Sequence, residues 1–159
     1  MSYFSAHDEL ATDLATALRA GHLLSQRGRS TWENIELGSV RYRIGGRPDV
    51  FSILNTGNPD CLAPMVHEVK VTRADFKRDM RAGKWRRYDA YCEKMYFACP
   101  EGLIRPGELP PGVGLVTRGS RGWTIVRGAK ATPWVLTHRD LCALIIKKQH
   151  LTPLQSKRN

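Results

Sequence analysis

Between Ser39 and Pro100 the chain runs through three strand-like stretches, a helical stretch and a fourth strand-like stretch, and this order restricts the fold more than any other feature. "SVRYRIGG" (39–46) alternates, with Val40, Tyr42 and Ile44 on one face and Arg41 and Arg43 on the other, and stops at Gly45-Gly46. "PDVFSILN" (48–55) follows at once, which predicts a hairpin between the two. Pro48 sits at the strand start, where a missing N–H does little harm. After the loop "TGNPDCLAP", "MVHEVKV" (65–71) is the third strand. In "TRADFKRDMRAGKWRRYDAYCEK" (72–94), Phe76 and Met80, then Trp85, Tyr88 and Cys92, recur at helical spacings. Gly83 makes this one kinked helix or two short ones. "MYFACP" (95–100) is a buried strand closed by proline.

The flanks complete an α/β pattern. "SAHDELATDLATALRAGH" (5–22) predicts a helix capped by Ser5, with Leu10, Leu14 and Leu18 as its apolar stripe and Gly21 as its stop. The polar "QRGRSTWENIELGS" (26–39) is expected to be a loop. Beyond the Pro/Gly-rich loop 101–112, "VGLVTRG" and "GWTIVRGA" resemble short outer strands, and "THRDLCALIIKKQHL" is a closing helix capped by Thr137. The expected architecture is a central mixed sheet with helices on both faces, in one domain over residues 1–154 with a basic tail at 155–159.

Charge narrows the choice of partner. Among 159 residues, 25 Lys and Arg against 15 Asp and Glu leave a net charge of +10, which favours a polyanion such as nucleic acid. No apolar run is long enough to span a membrane, and the N-terminus lacks the order of a signal peptide. Cys61, Cys92, Cys99 and Cys142 are scattered without metal-type spacing, and the five histidines are not grouped for zinc. A cytoplasmic, reducing compartment is expected.

Acidic residues interrupt the two most core-like strands. Alternation puts Glu68 and Lys70 on one side of their strand, roughly 7 Å apart at the backbone, with Val69 and Val71 on the other. Asp49 begins the preceding strand, so all three side chains converge if the strands are neighbours. Two bare carboxylates there would repel one another, whereas Mg²⁺, or Mn²⁺ in its place, takes carboxylate oxygen, water and phosphate oxygen readily. The Val69 carbonyl offers a further oxygen. Lys70 adds a compact positive charge suited to a scissile phosphate. An exposed strand face and an ordinary turn aspartate explain the same residues equally well by spacing alone; the combination in a basic chain points to metal-assisted phosphodiester hydrolysis.

"RPDVFSI … HEVKV" resembles the PD-(D/E)XK motif of restriction-endonuclease-like nucleases, through Pro48-Asp49 and Glu68-Val69-Lys70. "HEVKVTRADFKRDMRAGKWRRYDAYCEKMYFACPEGLI" and "LPPGVGLV" extend the likeness to the MmcB-type DNA-repair endonucleases, over Gly45 to Gly128. The resemblance implies an αβββαβ core, a divalent metal held by Asp49 and Glu68, Lys70 as the catalytic cation, and DNA as substrate, double-stranded or branched. A homodimer would suit cleavage of both strands. Some members add a first-helix glutamate, for which Glu9 is the candidate and Asp13 the competitor, although acids in a first turn also serve the helix dipole. Lys84 falls where relatives often carry another site residue.

Between Lys70 and Lys94, nine Lys or Arg stand against four Asp or Glu, interleaved with Trp85, Tyr88 and Tyr91. The expected division is aromatics inward and Arg73, Lys77, Lys84, Arg86 and Arg87 towards the DNA backbone. A nuclease fold kept only for binding DNA or recruiting a partner is the alternative.

Overall fold

The computed structural model describes residues 5–23, 27–39 and 44–149. Its elements are α1 (Ala6–Arg19), β1 (Arg29–Glu33), β2 (Leu37–Ser39), β3 (Ile44–Gly46), β4 (Val50–Leu54), β5 (Met65–Val69), α2 (Arg73–Ala82), β6 (Lys94–Pro100), β7 (Gly114–Gly119), β8 (Gly122–Arg127) and α3 (His138–Gln149). A short 3-10 helix, Lys84–Tyr88, follows α2 after Gly83, whose φ of 61° ends the α-helix in the left-handed region. The 72–94 stretch is therefore two short helical pieces.

Six strands form one sheet in the order β1-β4-β5-β6-β7-β8. β5, β6 and β7 run parallel, and the pairs β1–β4, β4–β5 and β7–β8 are antiparallel. The mixed sheet and the order α1, then β1, β4 and β5, then α2 and β6, agree with a restriction-endonuclease-like α/β core. Two cores result. Ala11, Leu14 and Leu18 of α1 pack on Val50, Met65, Val69 and Tyr96 on one face. Phe76 of α2 and Leu144 of α3 pack with Phe51, Val66 and Phe97 on the other. Helices thus cover both faces, as the sequence predicts. Among the described residues no helix is long and apolar enough to cross a membrane.

The partner of β4 differs from the expected hairpin. β4 pairs with β1, from the segment read as a loop, whereas β3 pairs with β2 in a separate two-stranded sheet. Most of the "SVRYRIGG" alternation, and the basic tail, lie outside the described residues. Trp32 is the one apolar residue of β1 in the core, and the other buried positions, Arg29 and Thr31, are satisfied by hydrogen bonds. Arg29, only 2% exposed, donates from Nε to Ser52 Oγ at 2.9 Å and from Nη2 to the Ala63 carbonyl. Such a strand carries no apolar periodicity to read.

Caps define the helix ends. Ser5 and Asp8 form a reciprocal capping box on α1, and Thr72 caps α2 through the Asp75 amide. Thr137 and Asp140 cap α3 in the same reciprocal manner, and Asp140 also accepts from the Gly38 amide at 2.8 Å, which ties α3 to β2.

His67 is fully buried on the α1 face, its ring stacked on Tyr96 at 5.3 Å. Neither ring nitrogen has a hydrogen-bond partner. Burial, and then the Arg29 charge, push its pKa down to about 3 from 6.5. A depressed histidine contributes stability that is complete above its unfolded value near 6.5 and lost as pH falls towards 3, at up to about 1.4 kcal/mol per pH unit. His67→Phe keeps the ring stack and removes the titration. Denaturant unfolding at pH 7 and pH 4 should show a smaller loss on acidification in the variant, and identical losses would exclude His67 as the titrating group.

Candidate active site

The β4–β5 register pairs Val50 with His67 and Phe51 with Val66. One step beyond the last pair, Asp49 stands across from Glu68. Residues opposite each other in antiparallel strands share a face, so Asp49, Glu68 and Lys70 meet on the α2 side. This is where the sheet changes from antiparallel to parallel pairing. Lys70 continues β5, its amide donating to the Ala98 carbonyl at 2.9 Å.

Each of the three side chains is held. Asp49 Oδ2 accepts from the Val69 amide at 2.7 Å and from His7 Nε2 at 3.2 Å. Both bonds fall on one oxygen, leaving Oδ1 outside them. The hydrogen bond and charge of Asp49 outweigh burial and raise the His7 pKa to about 9, so this imidazole is protonated at neutral pH. In an extended strand the amide and carbonyl of one residue point to the same edge, so the Val69 carbonyl also faces Asp49.

Glu68 is 8% exposed and accepts from the Tyr88 hydroxyl at 2.6 Å. Burial first, and Asp49 second, push its pKa up to about 7 against the pull of Tyr88 and Lys70. The Tyr88 ring needs the glycine at 46, since a Cβ there would lie 2.8 Å from Tyr88 Cε1. Lys70 is 6% exposed, and its ammonium lies 2.9 Å from Asp79, 3.5 Å from Glu68 and 3.7 Å from Asp75. Burial works against this charge, but Asp79, Glu68 and Asp75 together outweigh it and hold the lysine pKa above its ordinary value. Asp75 and Asp79 stand one turn apart on α2, and the second oxygen of Asp79 is buried without a partner. Arg78, Lys84 and Arg87 line the same cleft as Glu68 and Lys70.

The donor set is hard. Two carboxylates and a main-chain carbonyl are oxygen ligands of the kind Mg²⁺ takes, and a dication beside them would keep Glu68 ionised at neutral pH. Among the described residues no three Asp, Glu, His or Cys side chains are grouped to hold a metal. Two carboxylates and one carbonyl would fit a divalent cation only with water or phosphate oxygen completing its shell.

Other residues singled out in the sequence lie elsewhere. Glu9 is exposed, and the α1 residue bonded to Asp49 is His7. Asp13 accepts from Arg118 at 2.7 Å and Trp123 at 2.8 Å, tying α1 to β7 and β8. Arg73 is clamped to Glu108 by bonds of 2.6 and 2.7 Å and to the Leu103 carbonyl at 3.0 Å, which gives it a structural occupation. Lys77 is exposed beside Phe76, Met80 and Arg81. The Arg86 guanidinium lies 5.3 Å from the centre of the Trp85 ring. His7, Asp75, Asp79 and Tyr88 are the site groups that spacing does not reveal, because each arrives from another element.

A solved structure described as "SPO1766 protein of unknown function from Silicibacter pomeroyi" resembles this one with a TM-score of 0.62 and 28% identity, over 94% of this chain and 88% of that one. Among curated proteins nothing matches. The family described as DNA repair protein MmcB-like matches residues 5–148, nearly the whole length. On that match the chain, with its mixed sheet and paired carboxylates, belongs to the MmcB-like DNA repair protein family.

Proposed function

We propose that the protein is a divalent-metal-dependent deoxyribonuclease that hydrolyses phosphodiester bonds during DNA repair. The observation that carries this reading is that Asp49 stands on the same face as Glu68 and Lys70, beside a cleft that Glu68 and Lys70 line together with Arg78, Lys84 and Arg87. Asp49, Glu68 and the Val69 carbonyl would hold Mg²⁺ or Mn²⁺, which supplies Lewis-acid polarisation and an acidified water.

The chain's own groups do the rest. His7 and the Val69 amide fix Asp49, and Tyr88 fixes one oxygen of Glu68, so the carboxylates are oriented before substrate arrives. Asp79 keeps Lys70 charged and positioned, and its ammonium stabilises the negative charge that develops on the phosphate. Arg78, Lys84 and Arg87 bind flanking phosphates and confer no sequence preference by themselves.

One observation favours a binding-only role. The Lys70 ammonium is already neutralised by Asp79 and Asp75, and a lysine so engaged has little charge left for a phosphate. Cleavage of linear, nicked, flapped and four-way DNA, with Mg²⁺, Mn²⁺ or EDTA, separates the two. The expected result is metal-dependent cutting of at least one substrate, lowered at least about a hundredfold by Asp49→Asn. Salt-sensitive binding without cutting under every condition would leave the binding-only role standing.

A further inference from the structure

The 3-10 helix Lys84–Tyr88 borders two clefts. Lys84, Arg87 and Tyr88 line the one that holds Glu68 and Lys70, and Trp85, with Asp89 just beyond, lines a second of about 380 Å³. The floor of the second cleft is apolar, made of the buried Cys92, Met95 and Val113. Polar groups stand at its mouth: Asp89, Lys130 and Thr132, all exposed. Its walls are tied by backbone bonds, Lys130 N to the Gly112 carbonyl at 2.9 Å and Thr132 N to the Glu93 carbonyl at 2.9 Å. Gly112, at φ 84°, presents backbone alone to the cavity. The cleft is preformed.

We propose that this cleft holds one unpaired nucleobase of a DNA strand whose phosphate lies in the neighbouring cleft of Glu68 and Lys70. The inference rests on reading that neighbour as the phosphodiester-cleaving site. An apolar floor beside an indole, with a few polar groups at the rim, suits a flat heteroaromatic ring that carries its own donors and acceptors. Lys84, Arg86, Arg87 and Lys130 supply the cations a phosphodiester strand needs around it. At about 2 Å per residue the five-residue turn spans about 10 Å. A strand crossing it therefore puts phosphates on the Arg87 side and turns a base towards Trp85. A base inside an intact duplex is stacked and paired and cannot enter. The substrate class that follows is single-stranded, gapped or flapped DNA.

The test compares two strands of equal charge, a thymidine oligonucleotide and an abasic deoxyribose-phosphate strand of the same length, by fluorescence anisotropy in EDTA. The thymidine strand should bind roughly tenfold more tightly, with the same salt slope, because the gain is stacking and not charge. Trp85→Leu should erase the difference. Trp85 also packs against the core, so Thr132→Gln serves as a second variant: it is neutral, has no aromatic face, and fills the mouth from an exposed position. Equal affinity for the two strands in the wild type, or a preference that survives both variants, overturns the proposal. Cleavage assays run in parallel keep the two readings apart. Metal-dependent cutting without base preference removes the base cleft alone, and base preference without cutting removes hydrolysis alone.

Discussion

Lys70→Ala is expected to cost the fold about 3 kcal/mol at pH 7, well beyond the effect of losing an ordinary surface lysine. The ammonium sits among Glu68, Asp75 and Asp79, and two of these carboxylates belong to residues less than 10% exposed. Its removal leaves like charges together in a poorly solvated pocket. Protonation is then the one way to relieve the repulsion. The deficit is therefore full at neutral pH and shrinks as pH falls towards the ordinary carboxylate range. Urea unfolding at pH 7 and pH 5 reads both features, and Lys70→Ala combined with Asp79→Asn should recover part of the loss. An unchanged midpoint for the single variant at pH 7 would mean that the ammonium is not holding these carboxylates together. Loss of cleavage in Lys70→Ala is thus interpretable only beside a stability measurement.

Glu68→Gln should act in the opposite direction and stabilise the chain by about 2 kcal/mol at pH 8. Burial and Asp49 hold the Glu68 pKa near 7, above its ordinary 4.5. A carboxylate raised in this way contributes stability that is complete below about 4.5 and lost as pH rises through 7. Glutamine keeps an acceptor for the Tyr88 hydroxyl and removes the charge, so the advantage should vanish by pH 4.5. Calorimetric titration with Mn²⁺ should show weaker binding to the variant. Lower stability than the wild type at pH 8 would refute the account, because it would mean that Lys70 more than repays the burial of this charge. The pairing of gained stability with lost metal affinity is what a carboxylate retained for chemistry predicts.

Part of this site is legible in the sequence alone, and the reasons are local. Asp49, Glu68 and Lys70 lie on neighbouring strands, and strand alternation with a short connecting loop suffices to place them on one face. The same alternation turns His67, next to Glu68, to the opposite face. The groups that hold the three in place are not legible in this way. His7 meets Asp49 across 42 positions, and Tyr88 meets Glu68 across 20. The helical spacing of Trp85, Tyr88 and Cys92 marked a core face but concealed that one hydroxyl on it is aimed at a carboxylate. Basic residues were read by composition, which does not separate Arg73, committed to Glu108, from Arg87, which lines the cleft. In the fold, β1 escaped for a similar reason. A buried guanidinium satisfied by a serine and a main-chain carbonyl looks like loop chemistry when only the residue types are visible.

The division of labour around the cleft has an evolutionary corollary. Asp75, Arg78, Asp79, Lys84, Arg87 and Tyr88 all come from one uninterrupted stretch, whereas Glu68 and Lys70 come from the sheet. Exchanging that stretch as a cassette, with Gly46 kept small, would retune the charge and shape met by an incoming strand and leave the β4–β5 scaffold intact. Divergence in substrate choice among relatives should therefore concentrate between residues 75 and 88.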